Sequence, residues 1–336
     1  MLSLKEIHDL IFKLNPLSLN YDKEFNDLAL AVFQYQYKHN AIYNSYVVNL
    51  KVNANSIEHY TQIPFLPIEF FKTQQVVCDK VTDKTICFTS SGTTGQVSSK
   101  HYVNDISVYK TSYLKGFEFF YGAPDNYCIL ALLPNYLERQ GSSLVYMFDD
   151  LIKQSTHSLS GFYLNNLNDL IKTIDVLKQK NQKTILLGVT YALLDLAELG
   201  VELNEQFIVM ETGGMKGRRK EMLKEELHKE LMQKFKVSSI HSEYGMTELL
   251  SQAYSKGEGK FACPPWMRIL IRDTNDPFTF LPENKTGGIN VIDLANVNSC
   301  AFIATQDLGK TFIDGTFEVL GRFDASDVRG CNLLVV

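Results

Sequence analysis

The sequence predicts an α/β fold with mixed sheets and flanking helices, on three observations. Short apolar runs that suit buried parallel strands recur from Thr85 onward: TICF, YCILALL, TILLGV, QFIVM and VSSI. Between them lie segments with apolar residues at helical spacing, such as NLNDLIKTIDVLKQK, and that alternation places covering helices on a parallel sheet. After Pro282 the pattern changes to GGINVIDL, AFIATQDLG and TFEVLGR, which alternate as antiparallel strands do.

In chain order, Ser3 is placed to cap a first helix whose Leu4, Ile7, Leu10 and Ile11 share one face, and Asn15-Pro16 ends it. A second helix is expected from Phe25 towards Tyr43. In IPFLPIEFFK, Pro64 and Pro67 forbid a regular helix and favour an extended connection into the main domain. Residues 1–80 thus read as a helical segment packed on a core of residues 81–320, with 321–336 as a terminal motif and tail. KGRRKEMLKEELHKELMQKF, charged on most faces, reads as a solvated surface helix.

Composition narrows the function. A chain of 336 residues with 45% hydrophobic and 21% charged residues can bury one large core or two ordinary ones. A net charge of −5 without any long Lys/Arg run argues against a nucleic-acid or anionic-membrane surface. The six cysteines form no close pairs of the kind a zinc or redox motif needs. MLSLKEIHDLIFKL carries too much charge for a signal peptide and no apolar run approaches a membrane span, so the expected setting is the cytoplasm.

Four motifs carry chemistry. TSSGTTG, Thr89 to Gly95, follows the strand TICF: Gly92 and Gly95 let the backbone approach an anion, and Ser90, Ser91, Thr93 and Thr94 add hydroxyl donors, which suits a triphosphate. The pattern GxxxxGK[ST] is not met, since Gln96 follows Gly95. Read alone, the run is equally a polar turn. SEYGMTE, Ser242 to Glu248, supplies a carboxylate suited to Mg²⁺, Glu248, and a flat ring suited to a base, Tyr244; alone it is also a strand-to-helix connection capped by Thr247. Asp307 in TQDLG is suited to ribose hydroxyls and Arg322 in GRFD to the sugar or phosphate, although both residue types are common in turns.

Taken together and in this order, the motifs resemble the adenylate-forming superfamily of acyl-CoA synthetases, luciferases and peptide-synthetase adenylation domains. The resemblance implies a large N-terminal adenylate-forming domain that uses ATP and Mg²⁺. The phosphates would fall to Thr89–Gly95, adenine and metal to Tyr244, Gly245, Met246, Thr247 and Glu248, ribose to Asp307, and the hinge to Arg322 with Asp324. Gly213 and Gly214 in ETGGMKGRR would line the acyl and adenine pockets.

Only Ala325 to Val336 follow the hinge motif, so the superfamily's C-terminal lid domain is expected to be reduced to a short tail without its catalytic lysine. That resembles the acyl-protein synthetases of bacterial luciferase operons, from IPFLPIEFFK to RGCNLLVV. The resemblance implies activation of a fatty acid, thioester formation on Cys331, delivery to a partner acyl reductase, and an oligomeric complex. Read alone, Cys331 is better taken as a small apolar residue before LLVV, and it is the resemblance that favours the acceptor role. Lys100 and Lys216 are candidates for the missing lysine's charge. His101 and His241 are read as structural rather than as bases for Cys331. Two alternatives stay open: a ligase resembling phenylacetate–CoA ligases, with coenzyme A as acceptor, and a degenerate nucleotide-binding scaffold.

Overall fold

The fold begins where expected: the Ser3 hydroxyl and the Glu6 carboxylate form a reciprocal capping box on α1 (Leu4–Ile11), whose Ile7 and Ile11 are buried. Leu10, placed on the same face by the sequence pattern, is instead 40% exposed. A computed structural model of the chain describes residues 3–90, 97–134, 141–213 and 222–323. The expected second helix is two helices, α2 (Tyr21–His39) and α3 (Ala41–Asn49). Asn40 breaks them: its backbone is extended, and its side-chain oxygen accepts from the Ile42 and Tyr43 amides as an N-cap.

The proline segment is extended only at β1 (Leu66–Pro67), which pairs in parallel with a distant C-terminal strand, and it then turns into the short helix α4 (Phe70–Thr73). Next come β2 (Ile86–Thr89) and β3 (Lys100–Val103), α5 (Ile106–Tyr121), β4 (Cys128–Leu132), α6 (Ser143–Gln154), β5 (Gly161–Phe162), α7 (Leu167–Gln179), β6 (Thr184–Val189), α8 (Thr190–Glu198) and β7 (Phe207–Thr212). The chain continues with α9 (Lys224–Phe235), β8 (His241–Tyr244), β9 (Ala253–Ser255), β10 (Lys260–Ala262), β11 (Met267–Arg272), β12 (Gly287–Asp293), β13 (Phe302–Thr311) and β14 (Phe317–Arg322).

One mixed sheet runs in the order β11-β12-β13-β14-β10-β9-β8-β7-β6-β4-β5, with β1 beside β13. Its half from β8 to β5 is parallel, and β4 and β6 are buried along their whole length, as apolar runs covered on both faces must be. The other half is antiparallel, as the alternation after Pro282 predicts. Two differences stand out. VSSI precedes its strand, which starts at His241. TICF is not in the parallel sheet at all: β2 pairs only with β3, as an antiparallel hairpin forming its own sheet. The charged segment before β8 is helical over α9 but not solvated all round, because Leu227, Leu231 and Phe235 are buried. Among the described residues, no helix is long and apolar enough to cross a membrane.

Candidate functional site

The glycine-rich loop joins β2 to β3, and its neck is closed by hydrogen bonds. The Ser90 amide donates to the Ser99 carbonyl at 3.1 Å, and the Ser99 amide donates to the Ser90 hydroxyl at 2.9 Å. Thr89 is tied below by its amide to the Gly141 carbonyl at 2.7 Å. Ser91, Gly92, Thr93, Thr94 and Gly95 lie outside the described residues.

Beside this neck is a cavity of about 380 Å³ at the carboxyl ends of β4, β6, β7 and β8, where ligands of open α/β sheets bind. Thr89, Gly213, Gly245, Met246 and Thr247 all line it, so three separate sequence segments converge there. Gly213 adopts φ +67, a left-handed conformation that glycine enters freely, and its carbonyl accepts from the Thr190 hydroxyl at 2.6 Å. Apolar side chains such as Leu133, Leu144, Met147 and Val189 share the walls with Tyr109 and Glu243. A larger depression of about 460 Å³ lies between the α2–α3 junction at His39 and the segment up to Val81, and no motif residue lines it.

Glu243 is 7% exposed and accepts from the Thr212 hydroxyl at 2.5 Å. Burial pushes its carboxyl up to about 7, and the Thr212 hydrogen bond offsets only part of that. Tyr244, the next residue, is packed edge-on between Phe261 and Phe317 and gives its hydroxyl to Asp307 at 2.9 Å. Asp307 faces Arg322 across the β13–β14 ladder, with the guanidinium Nε at 3.4 Å from its other oxygen. Burial raises the Asp307 carboxyl, while Tyr244 and Arg322 oppose the rise. Three of the four motifs therefore meet at one carboxylate.

Glu248 is 5% exposed. Burial raises its carboxyl; the neighbouring Ser99 hydroxyl and the charges of Arg322 and Lys72 pull the other way. Ser99 thus places the loop neck beside Glu248. Among the described residues no three His, Cys, Asp or Glu side chains cluster as a metal cage. One carboxylate beside a phosphate-suited loop is nevertheless the donor set that Mg²⁺ takes when a nucleotide completes its shell, so the residues fit that ion. Glu248 would hold it, and the ion would supply charge neutralisation at the phosphates.

With this geometry in hand, comparison with known proteins decides the family. The model described as acyl-protein synthetase, LuxE, matches residues 1–336. The chain belongs to that family. Among solved structures it is similar to ATP-bound MatB from Rhodopseudomonas palustris, with a TM-score of 0.52 and 19% identity over 70% of this chain and 47% of that one. It is also similar to 2-hydroxyisobutyryl-CoA ligase in the postadenylation state in complex with 2-HIB-AMP, with a TM-score of 0.68 and 12% identity over 90% and 68%. At these identities the likeness is one of fold, and the chain spans about half the length of the MatB chain. No curated protein matches.

In this acyl-protein synthetase family member, the expected site residues distribute unevenly. Thr89, Gly213 and Gly245 through Thr247 line the cavity, Ser90 closes the loop neck, and Asp307 and Arg322 join the second motif through Tyr244. Lys100 is exposed and pairs with Thr89 across the hairpin, and its charge is felt at Cys87. Gly214, Lys216, Asp324 and Cys331 lie outside the described residues. His241 is held by the Tyr121 hydroxyl at 3.1 Å and pushed down to about 4 by burial and by Lys256; its place at the opposite end of β8 from Tyr244 fits a structural histidine. Residues that sequence reasoning missed are Ser99, Glu243 and Lys72. Lys72 was legible in one respect: it stands three positions after Glu69 on α4, and Glu69 accepts from Gln306, the neighbour of Asp307.

Proposed function

We propose that the protein uses ATP and Mg²⁺ to convert a carboxylic acid, expected to be a fatty acid, into an acyl adenylate. A carboxylate oxygen would attack the α-phosphorus; the bond to the β-phosphate bridging oxygen breaks and pyrophosphate leaves. The thiolate of Cys331 would then attack the acyl carbon and release AMP, leaving a thioester for delivery to a partner acyl reductase. The single observation that carries the reading is the convergence of Thr89, Gly213 and Gly245–Thr247 on one cavity, with Glu248 following directly on Thr247 and Asp307 held by Tyr244 just before Gly245. The roles follow from chemistry: hydroxyls and amides for phosphates, Glu248 for the metal, Asp307 for ribose hydroxyls, and Arg322 or Lys72 for developing negative charge.

Acid-dependent exchange of labelled pyrophosphate into ATP, run over a panel of aliphatic and aromatic acids, tests the first step. Exchange with no acid on the panel, despite ATP binding, would leave only a nucleotide-binding scaffold. Labelled acid plus ATP should leave a hydroxylamine-sensitive label on the protein, and Cys331→Ser should abolish the label while sparing exchange. The fold shared with 2-hydroxyisobutyryl-CoA ligase over 90% of the chain favours a second reading, with coenzyme A as acceptor. On that reading Cys331→Ser leaves acyl-CoA formation intact.

A further inference from the structure

His101, on β3, is fully buried and touches the second motif from behind. Its Nδ1 lies 2.8 Å from the Thr247 carbonyl, and its Nε2 lies 3.0 Å from the Asn296 side-chain oxygen. Asn296, in the short turn after β12, is 1% exposed and donates its amide group to the Glu248 carbonyl at 2.8 Å and to the Cys300 carbonyl at 2.9 Å. Those two carbonyl acceptors fix which way the Asn296 amide faces, and so which atom His101 meets. The successive carbonyls of Thr247 and Glu248 are therefore gripped by one pair of side chains. Asp293, at the end of β12, continues the grip by accepting from the Leu250 and Ser251 amides at 2.8 and 2.9 Å.

Burial pushes the His101 imidazole down to about 4, so the ring is neutral at physiological pH and carries one proton for two facing acceptors. A base role is thereby closed to it: neither nitrogen faces the cavity, and each faces an oxygen inside the protein, one of which takes the ring's single N–H. What the ring does instead follows from its place on β3. Two residues earlier, Ser99 closes the neck of the glycine-rich loop, and its hydroxyl lies beside the Glu248 carboxylate and lowers it. The strand leaving the loop thus meets both ends of the Thr247–Glu248 unit, the side chain through Ser99 and the backbone through His101. Phe71 of α4 packs edge-on against the His101 ring at 5.6 Å, which holds the ring's plane.

We propose that His101 and Asn296 are positioning residues that lock the Thr247–Glu248 backbone to the strand leaving the glycine-rich loop, so that phosphate binding and metal binding act as one unit. The inference rests on the reading of Glu248 as the Mg²⁺ ligand. Its signature is the gain in nucleotide affinity that Mg²⁺ confers, not stability alone, because outer partners of a metal ligand govern the ion's affinity.

The test is equilibrium binding of a fluorescent ATP analogue to the full chain with and without Mg²⁺, alongside thermal melting. In the wild type Mg²⁺ should tighten binding. His101→Leu is expected to cut that Mg²⁺-dependent gain about 10-fold or more while leaving Mg²⁺-free binding within about twofold. His101→Asn places an amide donor where Nδ1 stands and should keep most of the gain. His101→Gln places it where Nε2 stands, away from Thr247, and should lose it. If His101→Leu does not fold, the Asn and Gln pair carries the same comparison. Equal Mg²⁺-dependent gains in Asn, Gln and wild-type proteins, or losses that track melting temperature alone, would overturn the proposal. A wild type whose nucleotide binding ignores Mg²⁺ would instead sink the Glu248 assignment, and a wild type that binds Mg²⁺-ATP but exchanges no pyrophosphate would sink the adenylation reading while leaving the positioning result to stand or fall on binding.

Discussion

Glu211 and Glu243 stand on neighbouring strands, β7 and β8, and are almost equally buried at 3% and 7% exposure, yet their carboxyls shift in opposite directions. Glu211 pairs in register with Ser242 and Glu243 with Thr212, so the two side chains leave opposite faces of the sheet. On the first face α9 brings Lys224 to 2.9 Å and His228 to 3.6 Å from Glu211. Burial alone would raise Glu211, but the neighbouring His228 and Ser242 and the close Lys224 charge hold it down at about 2. On the second face Glu243 meets the cavity; burial and the Glu211 charge raise it to about 7 against the Thr212 hydroxyl and a smaller pull from the Lys224 charge. Depth therefore does not set the charge of a buried acid; a cation on the same face does. The charged segment that the sequence pattern assigns to solvent is what supplies that cation.

Breaking the Glu211 side should have the largest effect. Glu211→Gln leaves Lys224 and His228 without their anion and is expected to cost about 4 kcal/mol at pH 7, read by urea unfolding. The pH dependence has a definite sign. Because the folded carboxyl lies below the ordinary value of 4.5, its stabilisation is present above about pH 4.5 and is lost as pH falls towards 2. The gap between wild type and Glu211→Gln should therefore close through that window. A gap that is constant with pH would mean the ion pair contributes nothing.

Glu243 should behave in the opposite sense. Its folded carboxyl holds a proton up to about pH 7, whereas the unfolded chain releases it near 4.5, so stability from this group is full below about 4.5 and is lost as pH rises through 7. Glu243→Gln, a neutral isostere, should match the wild type near pH 4.5 and exceed it by about 3 kcal/mol above pH 8. Identical urea midpoints at pH 8 would refute the contrast between the faces.

How much of this was legible in the sequence differs by level. The strands TILLGV and YCILALL, the Ser3 cap and the order of the four motifs were readable because each is local: a period, a cap or a run of residue types. TICF was misplaced because a short apolar run looks the same in a hairpin as in a buried parallel strand, and only its pairing with β3 decides. Asn40 splits one expected helix because its side chain satisfies the next helix's amides, which periodicity does not register. The His101 contacts span 146 and 195 positions, and nothing in the residues flanking His101 announces them. Glu243 was passed over between Ser242 and Tyr244 because a motif reading weights the residues that a ligand would touch, not the wall behind them.

The smallest effect expected sharpens the cavity side of the comparison at Gly245. Its φ is not left-handed, so backbone freedom is not the reason for glycine there. A Cβ built at this position would stand 2.5 Å from the Glu243 Oε1 and 3.4 Å from Gln252 Cγ. The carboxyl cannot swing aside freely, because its other oxygen is held by Thr212. Gly245→Ala should therefore cost about 1–2 kcal/mol by overpacking. In a Glu243→Ala background the same substitution has room, and its cost should fall close to zero. The double-mutant cycle, measured by urea unfolding, should return a coupling of about 1 kcal/mol or more. An uncoupled pair would mean that the glycine serves the incoming ligand and not the glutamate behind it, and Gly245→Ala would then weaken nucleotide binding equally in both backgrounds.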